Sequence, residues 1–378
     1  MANTNSMLTL FNKNAGSYLE TEFANIEEVL SDIPCLHSIT KLTSSLDDLR
    51  TELVSYNNTH GTPTILGIGS GDGGAHIILT EAANIFPELP RYIAPFSIGT
   101  MINYAFPFNL NNGIIDKANR ILRDSLNIDY MEFWETKAEQ LAFYIAEQYL
   151  NNLPLHSSPL GLIEVNGKKG FNFGIGVASK LIWLYEGATL DQYQNMLENI
   201  NGLSDIENLP KSYLPKKKKT GALSAVSLVS SALMNTASKN GISSFLTQST
   251  QAEIFIDGYK LPTDEITALI SSTYESVSLG INGFAFKPTY RARSECNNKR
   301  FQCVAASLSA KEILPYFWDI YSGRQLENEK VHDHMAEEVK IKLPQPTLYQ
   351  MDGELYLAKD EISIKFDRTV NIIHPYHS

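Results

Sequence analysis

Apolar and polar positions alternate with two different periods along the first hundred residues of the chain. Four short apolar runs predict β-strands, and they lie at Met7–Phe11, Leu36–Leu42, Pro63–Ile68 and Arg91–Pro95. Three segments with apolar residues at helical spacing lie between these runs, at Ser17–Ile33, Ser44–Asn58 and Ala75–Phe86. This strand–helix alternation predicts a parallel sheet covered by helices on both faces, which is a three-layer α/β domain.

The pattern changes near Leu160, where the chain becomes a series of short, often alternating apolar runs. Glycine, proline, asparagine or aspartate separates the runs, as around AEIFIDGYKL at Ala252–Leu261 and EISIKF at Glu361–Phe366. Many short strands separated by turn residues are typical of a β-sandwich. We therefore predict an α/β domain over residues 1–155 and a C-terminal β-sandwich domain over residues 156–378, with the boundary within Asn151–Ser158.

The composition of the 378-residue chain is that of a globular protein, with 43% hydrophobic and 19% charged residues. Its net charge of −11 argues against general nucleic-acid binding, because that function needs a basic surface to neutralise phosphates. The sequence contains no run of 18 apolar residues and no signal-peptide pattern, so we expect a cytoplasmic protein. Export by a non-classical route stays open, as does the oligomeric state.

The segment Gly67–His76 (GIGSGDGGAH) places several glycines and one aspartate between the third predicted strand and the next helix. Glycines permit positive φ angles and let a ligand approach the backbone, and the N–H groups at a helix N-terminus favour anions. The segment therefore predicts a phosphate-binding loop at the carboxyl edge of the sheet. Asp72 suits such a loop if Mg²⁺ bridges it to phosphate or if it accepts a proton from an attacking hydroxyl. The alternative is a tight turn in which Asp72 caps the helix.

Three further segments contain residues suited to the same chemistry. Glycine and small polar residues follow the first strand in NKNAGS, Asn12–Ser17, and the fourth strand in FSIGTMIN, Phe96–Asn103. Near the end of the chain, Asp352 and Glu354 flank Gly353. Residues i and i+2 of a strand share a face, so the two carboxylates would point together toward a metal or a hydroxyl. Alternatively, Asp352 and Gly353 form the turn of a polar hairpin.

The order of these segments resembles that of the diacylglycerol kinase catalytic-domain superfamily, which includes bacterial lipid kinases and sphingosine kinases. That superfamily has an NPxSG-like loop, a GGDGT or SGDG loop, a P-x-GT-x-N-like loop and a late DGE. The similar segments here are NKNAGS at Asn12–Ser17, SGDGGAH at Ser70–His76, PFSIGTMIN at Pro95–Asn103 and DGE at Asp352–Glu354. The resemblance covers nearly the whole chain.

The resemblance implies a lipid kinase that uses ATP and Mg²⁺ to phosphorylate a hydroxyl of a diacylglycerol, a sphingoid base or a related lipid. It implies a nucleotide-binding N-terminal domain and a lipid-binding β-sandwich, with ATP in the cleft between them. Asp72, Asp352 and Glu354 would be catalytic, with Asp72 and Asp352 as competing candidates for the base, and Asp72 and Glu354 would hold Mg²⁺. The implied nucleotide-binding residues are Asn12, Gly16, Ser17, Ser70, Gly71, Asp72, Gly73, Gly99, Thr100, Asn103 and Glu354.

The sequence departs from the family pattern at two positions. Ile77 stands where the family usually has a glutamate, and Tyr104 stands where many bacterial members have an acid. Two alternatives to a lipid kinase stay open. One is a kinase of a soluble metabolite, similar to the NAD kinases with their related GGDG loops. The other is a lipid- or nucleotide-binding protein with a degraded catalytic site.

Two other polar clusters each have two interpretations. Lys216–Lys219 would contact the anionic headgroups of a membrane surface, in addition to the lipid substrate, or would form a solvated loop. His332 and His334 would hold a metal together with Asp333, or would be ordinary polar residues of the surface.

Overall fold

The computed structural model describes residues 5–15, 20–96, 136–200, 242–275, 277–281, 284–292 and 298–375. The chain divides into two compact units. The first unit comprises Met1–Leu160, Gly280–Phe284 and Thr369–Ser378, and the second comprises Gly161–Leu279 and Ala285–Arg368.

The first unit is built around a parallel β-sheet. Its strands are β1 (Ser6–Asn12), β2 (His37–Thr43), β3 (Ile65–Gly69), β4 (Tyr92–Phe96) and the last residues of β20 (Glu361–Ile373). The first four lie in the order β2-β1-β3-β4, with Leu8 opposite Leu66 and Leu66 opposite Ile93. The end of β20 runs parallel to β4, with Asn371 opposite Tyr92. The parallel sheet that the sequence predicts is therefore present.

Helices cover both faces of this sheet. They are α1 (Glu20–Ser31), α2 (Leu46–His60), α3 (Asp72–Ile85) and α4 (Lys137–Leu150). Helices α1 and α4 share a core with the β1 face that carries Met7 and Phe11, and this core includes Ile26 and Leu141. Successive residues of a strand point to opposite faces, so the buried Leu8 faces the other side, where α2 and α3 pack together. The three-layer α/β prediction is confirmed.

Polar caps determine where two of these helices begin. The Ser45 side chain accepts a hydrogen bond from Asp48 N at the start of α2. Thr136 and Glu139 form a reciprocal capping box at the start of α4. The Thr136 hydroxyl also donates a hydrogen bond to the Glu22 carboxylate, which joins α4 to α1.

The second unit is a β-sandwich. Six antiparallel strands form one sheet in the order β16 (Val331–Ala336), β15 (Phe301–Ala306), β12 (Ala268–Ser272), β7 (Asn172–Gly176), β18 (Thr347–Met351) and β19 (Glu354–Ala358). The opposite sheet contains β5 (Ser157–Val165), β6 (Lys168–Gly170), β9 (Glu253–Ile256), β10 (Tyr259–Lys260), β17 (Glu338–Lys342) and the first part of β20. Phe173 and Leu269 of one sheet pack with Ile254 and Ile341 of the other in a continuous core. The predicted β-sandwich is confirmed.

Short strands and helices complete the described chain. The strands are β8 (Thr250–Gln251), β11 (Glu265–Ile266), β13 (Val277–Ile281) and β14 (Phe284–Phe286). The helices are α5 (Val177–Tyr185), α6 (Leu190–Ile200), α7 (Ile242–Leu246), α8 (Ala310–Ile313), a 3₁₀ turn (Leu314–Tyr316) and α9 (Phe317–Ser322). Trp183 of α5 and Met196 of α6 pack on Leu348 and Leu357, which lie on the outer face of the six-stranded sheet. Within the described residues, no helix has the length and apolar character needed to cross a membrane.

Candidate active site

The carboxyl ends of β1 and β3 lie side by side in the first unit. In the order β2-β1-β3-β4, the chain leaves β1 toward one side of the sheet and later continues on the other side. The loops after two such strands diverge and leave a crevice, which is where open α/β sheets bind ligands. Phe11 is opposite Gly69 in the register, so the loop after Asn12 and the loop after Gly69 begin next to each other. This is the edge at which the sequence predicts a phosphate site.

Close packing explains three glycines of the Gly67–His76 segment. A Cβ on Gly67 would overlap the Thr9 side chain. A Cβ on Gly69 would overlap the Phe11 ring, and a Cβ on Gly74 would overlap the Ser70 hydroxyl. No glycine of this segment, all of which is described, has a positive φ. The expectation that positive φ angles account for the glycines was therefore wrong, and at Gly67, Gly69 and Gly74 the missing Cβ leaves room for a neighbouring side chain.

The N-terminus of α3 has the features of an anion site. Gly71 is the N-cap residue, with φ −81° and ψ −176°, and no side chain caps the helix. Ala75 N donates to Gly71 O at 2.9 Å, so the N–H groups of Asp72, Gly73 and Gly74 precede the helical hydrogen-bond ladder. A helix N-terminus carries partial positive charge and directs its N–H groups toward anions.

Asp72 is the first residue of α3, and its exposed fraction is 8%. The alternative in which Asp72 caps the helix is wrong, because Gly71 occupies that position. The positive end of the helix dipole stabilises a carboxylate in the first turn. The first turn of α3 therefore accommodates the Asp72 carboxylate.

Asn12 lies beside the start of α3. A Cβ on Gly74 would be 3.5 Å from Asn12 Nδ2. Asn12 Oδ1 accepts a hydrogen bond from Asn14 N at 2.9 Å, and Lys13 N donates to Thr43 O at 2.9 Å, which ties this loop to the end of β2. The structure thus brings Asn12 together with the Ser70–Gly74 loop, as the sequence predicts for a nucleotide site.

Asp352 and Gly353 form a two-residue hairpin turn in the second unit. β18 ends at Met351 and β19 begins at Glu354, and these two residues are paired. The φ angles of the turn residues are +48° and +85°, as in a type I′ turn. The hairpin alternative is confirmed. The interpretation that Asp352 and Glu354 share one strand face is wrong, because Asp352 lies in the turn.

The two acids of this hairpin have different surroundings. Asp352 is 4% exposed; its Oδ2 accepts from Phe171 N at 2.8 Å and its Oδ1 from Asn172 N at 2.9 Å. Glu354 is exposed at the start of β19. Burial, and then the charge of nearby Glu354, raise the pKa of Tyr356 above its usual value. Glu354 is therefore the acid of this pair that is accessible to a ligand in solution.

Solved structures share this fold over nearly the whole chain. A candidate diacylglycerol kinase from Bacillus anthracis str. Sterne aligns with a TM-score of 0.58 and 14% identity, over 99% of this chain and 97% of its own. The chain has the diacylglycerol kinase fold. A structure described as a diacylglycerol kinase from the same organism aligns with a TM-score of 0.56 and 12% identity, over 99% and 98% of the two chains. The resemblance inferred from the sequence motifs is confirmed at the level of the fold.

Neither a family model nor a curated protein matches the sequence. A third structure, another candidate diacylglycerol kinase from Bacillus anthracis str. Sterne, aligns with a TM-score of 0.58 and 14% identity, over 99% and 98% of the two chains. At such identities the comparison concerns the fold, so the chemistry has to be argued from the residues of this chain.

One polar residue of this diacylglycerol kinase fold escaped the sequence analysis. Asn172 is 6% exposed at the start of β7, and its Oδ1 is buried with no hydrogen-bond partner in the described structure. A buried oxygen of this kind is normally satisfied by water or a ligand. The available signal was a lone amide in the otherwise apolar run GFNFGIGV.

The metal alternative for His332, Asp333 and His334 is wrong. Asp333 Oδ1 accepts from Arg291 Nη2 at 2.7 Å and from Gln302 Nε2 at 2.8 Å. Side chains alternate along β16, so the two histidines point away from the face that carries Asp333. Across the described ranges, no group of three histidine, cysteine, aspartate or glutamate side chains is arranged to hold a metal.

Several predicted positions lie outside the described residues. They are Gly16, Ser17, Gly99, Thr100, Asn103, Tyr104 and Lys216–Lys219. Ile77, the other departure from the family pattern, is half-buried in α3.

Proposed function

We propose that the protein is a lipid kinase that transfers the γ-phosphoryl group of ATP to a hydroxyl of a lipid such as a diacylglycerol or a sphingoid base. The observation that carries the proposal is the N-terminus of α3, which lacks a side-chain cap and lies beside Asn12 at the carboxyl edge of a parallel sheet. The names of the diacylglycerol kinases with the same fold support a lipid as the acceptor.

Phosphate binding is assigned to the loop Ser70–Gly74. Gly71 and Gly73 present backbone N–H groups without side chains that would hold a phosphate away. Asn12 Nδ2 supplies a further donor beside this loop. The remaining proposed nucleotide-binding residues are Gly16, Ser17, Gly99, Thr100 and Asn103.

Magnesium is the proposed metal of this reaction. In kinases, Mg²⁺ is usually held by one or two carboxylates together with substrate phosphates rather than by a cage of protein ligands. We assign Asp72 and Glu354 as these carboxylates. Asp72 is the first residue of α3, and Glu354 is exposed at the start of β19. When bound, Mg²⁺ would neutralise charge on the phosphate oxygens.

The transfer needs a group that accepts the proton of the lipid hydroxyl. The hydroxyl oxygen bonds to the γ-phosphorus as the bond from that phosphorus to the bridging oxygen breaks, and ADP leaves. Asp72 and Asp352 are the candidate proton acceptors. We assign Asn172 Oδ1 as an acceptor of a hydrogen bond from the lipid headgroup, because its buried oxygen needs a donor.

The decisive experiment incubates the protein with γ-labelled ATP, Mg²⁺ and a panel of acceptors. The lipid arm contains vesicles with diacylglycerol, a sphingoid base or ceramide, and the soluble arm contains NAD and sugar phosphates. We expect label in a lipid product. Asp72→Asn should lower the rate about a hundredfold or more. Asp47→Asn is the matched control, because Asp47 lies in the first turn of another helix, α2, and should leave the rate unchanged.

The outcomes separate the three functions considered from the sequence. Label only in a soluble acceptor would indicate a metabolite kinase. A saturable ATP complex with no labelled product would indicate a binding protein with a degraded site, the alternative that Ile77 favours. Full lipid kinase activity in Asp72→Asn would contradict the assignment of Asp72.

A further inference from the structure

Three two-residue turns of the second unit have closely similar pairs of positive φ angles. They are Asn166–Gly167, Asp257–Gly258 and Asp352–Gly353. Their φ angles are +47° and +83°, +48° and +85°, and +48° and +85°, respectively. Asparagine and aspartate tolerate the positive φ of the first position better than other residues with side chains.

Each turn also holds a neighbouring strand in the same way. In the Asp257 turn, Asp257 N donates to Glu338 O at 2.9 Å, and Glu338 N donates back to Asp257 Oδ1 at 2.9 Å. Glu337 N donates to the same Oδ1 at 3.0 Å. We call this pair of hydrogen bonds a clasp. In a clasp, the carbonyl oxygen of one strand residue accepts from the N–H of the turn residue, and the N–H of the same strand residue donates to the turn side chain.

The Asn166 turn shows that a clasp needs no charge. Asn166 N donates to Ser363 O at 3.1 Å, and Ser363 N donates to Asn166 Oδ1 at 2.9 Å. The amide oxygen thus does what the Asp257 carboxylate does at its own turn. A clasp therefore needs a residue that carries an acceptor oxygen on Cγ and tolerates a positive φ.

Asp352 makes the third clasp. Asp352 N donates to Asn172 O at 2.9 Å, and Asn172 N donates to Asp352 Oδ1 at 2.9 Å. Its second oxygen, Oδ2, accepts from Phe171 N at 2.8 Å. Gly170 leaves room for this contact, because a Cβ there would overlap Asp352 Oδ2. Both carboxylate oxygens are thus engaged by the backbone at the junction of β6 and β7.

We infer that Asp352 is a positioning residue of the proposed lipid kinase reaction and not its proton acceptor. Its clasp holds Asn172, the first residue of β7, whose side-chain oxygen is buried. The clasp also holds the turn that precedes Glu354, the first residue of β19. This inference rests on the proposed function and deepens it, because it leaves Asp72 as the base. The carboxylate of Asp352 acts through Asn172 and Glu354.

The test compares Asp352→Asn with Asp352→Ala in the lipid kinase assay. Asparagine can keep the Asn172 bond, as Asn166 does at its own turn, so kcat should stay within about tenfold of wild type. Alanine removes both acceptors and frees the junction, so kcat should fall about a hundredfold. If Asp352 were the proton acceptor, both variants would lose about a hundredfold or more.

The pH profile gives a second readout that a structural role alone does not change. In Asp352→Asn, the acid limb of kcat/KM should stay at the wild-type pH, because the base is elsewhere. Loss of that limb, together with equal loss of activity in the two variants, would overturn the inference. Asp257→Ala is the matched control: it removes a clasp of the same geometry and should leave kcat unchanged.

Amide hydrogen exchange tests the clasp independently of catalysis. The Asn172 amide should stay protected in Asp352→Asn and exchange faster in Asp352→Ala. The Glu338 amide should likewise exchange faster in Asp257→Ala. Unchanged protection of Asn172 in Asp352→Ala would overturn the clasp itself. If the wild-type protein phosphorylates no lipid, the proposed function fails and the reaction role of Asp352 falls with it, while exchange at Asn172 still decides whether the clasp exists.

Discussion

The Ser70 hydroxyl occupies the space in which a side chain on Gly74 would begin. Ser70 is almost fully buried at the end of β3, and Gly74 lies in the first turn of α3. Ser70 is thus packed against the first turn of α3, and Asn12 Nδ2 lies beside the same turn.

Gly74→Ala should therefore damage both stability and nucleotide binding. The added Cβ forces the loop to move, which should lower the free energy of unfolding by about 1–3 kcal/mol. ATP affinity should fall further than this loss of folded protein explains, because the N–H groups turn away from the phosphates. Urea unfolding and calorimetric ATP titration measure the two effects.

The double variant Ser70→Gly with Gly74→Ala is the control for that explanation. Removing the Ser70 side chain leaves room for the new Cβ, so most of the lost stability should return. A double variant as unstable as Gly74→Ala would show that the Ser70 contact is not the reason for the glycine.

Thr136→Ala should destabilise the first unit. The change removes the cap of α4 and a hydroxyl that donates to the buried Glu22 carboxylate. A cap alone is worth about 1 kcal/mol, and the lost partner of a buried acid adds to it, so we expect about 2 kcal/mol. Thr136→Ser keeps the hydroxyl and should recover most of this difference in urea unfolding. Equal losses of stability in Thr136→Ala and Thr136→Ser would show that the hydroxyl does not provide this stability.

The alternation of apolar runs was sufficient to predict the strands and helices at the start of the first unit and the strand-rich character of the second, but not the helices of the second unit. β1 to β4 and α1 to α3 occur where the sequence predicts them. A helix that packs on a sheet buries one apolar stripe, and a strand that is covered on both sides buries a continuous apolar run, so the two leave different patterns. The pattern could not show why Gly69 is a glycine, since the side chain that excludes a Cβ there, Phe11, lies on the neighbouring strand β1.

Polar interruptions hid two other features. The apolar pattern of EISIKF ends at Phe366, yet β20 continues to Ile373 through Asp367 and Arg368, and its last residues pair with β4. DGE around Gly353 fits either a strand or a turn by composition. The backbone conformation of Asp352 and its partner Asn172 decide in favour of the turn, and that partner lies 180 residues earlier in the chain.

Lys180 should make stability depend on pH in the alkaline range. Its Nζ donates to Gln248 O at 2.8 Å and lies 5.5 Å from the centre of the Phe245 ring. Burial lowers the pKa of Lys180 to about 8, from an ordinary value of 10.5. Between these values the unfolded chain binds more protons than the folded one, so the free energy of unfolding rises with pH by up to about 3 kcal/mol.

Lys180→Met removes that titration and keeps a long side chain in the site. Urea unfolding of both proteins from pH 7 to pH 10.5 should show wild type gaining stability relative to the variant as pH rises. Exposed tyrosines and lysines titrate in both proteins and cancel in the difference. A difference that stays constant with pH would contradict a lowered pKa for Lys180.

Asn172→Leu should separate stability from activity. The change replaces a buried oxygen that has no partner in the described structure with an apolar group of similar size. Stability should therefore stay constant or increase. The kcat/KM for the lipid should fall about tenfold, since one hydrogen bond to the headgroup is lost, while the KM for ATP stays unchanged. An unaltered kcat/KM for every lipid acceptor would remove Asn172 from the proposed lipid site.

The most direct test of the phosphate-binding loop uses protein labelled with ¹⁵N at its 23 glycines and titrated with Mg²⁺ and ATP. Carbonyl labelling of serine selects the amides of Gly71 and Gly323, and carbonyl labelling of aspartate selects those of Gly73, Gly258 and Gly353. The variants Ser322→Ala, Asp257→Asn and Asp352→Asn remove the other signals and so identify Gly71 and Gly73. We predict that these two signals shift in a saturable way, with the same dissociation constant that calorimetry gives. Saturable ATP binding that leaves both amides unchanged would contradict the account, because the nucleotide phosphates would then bind elsewhere.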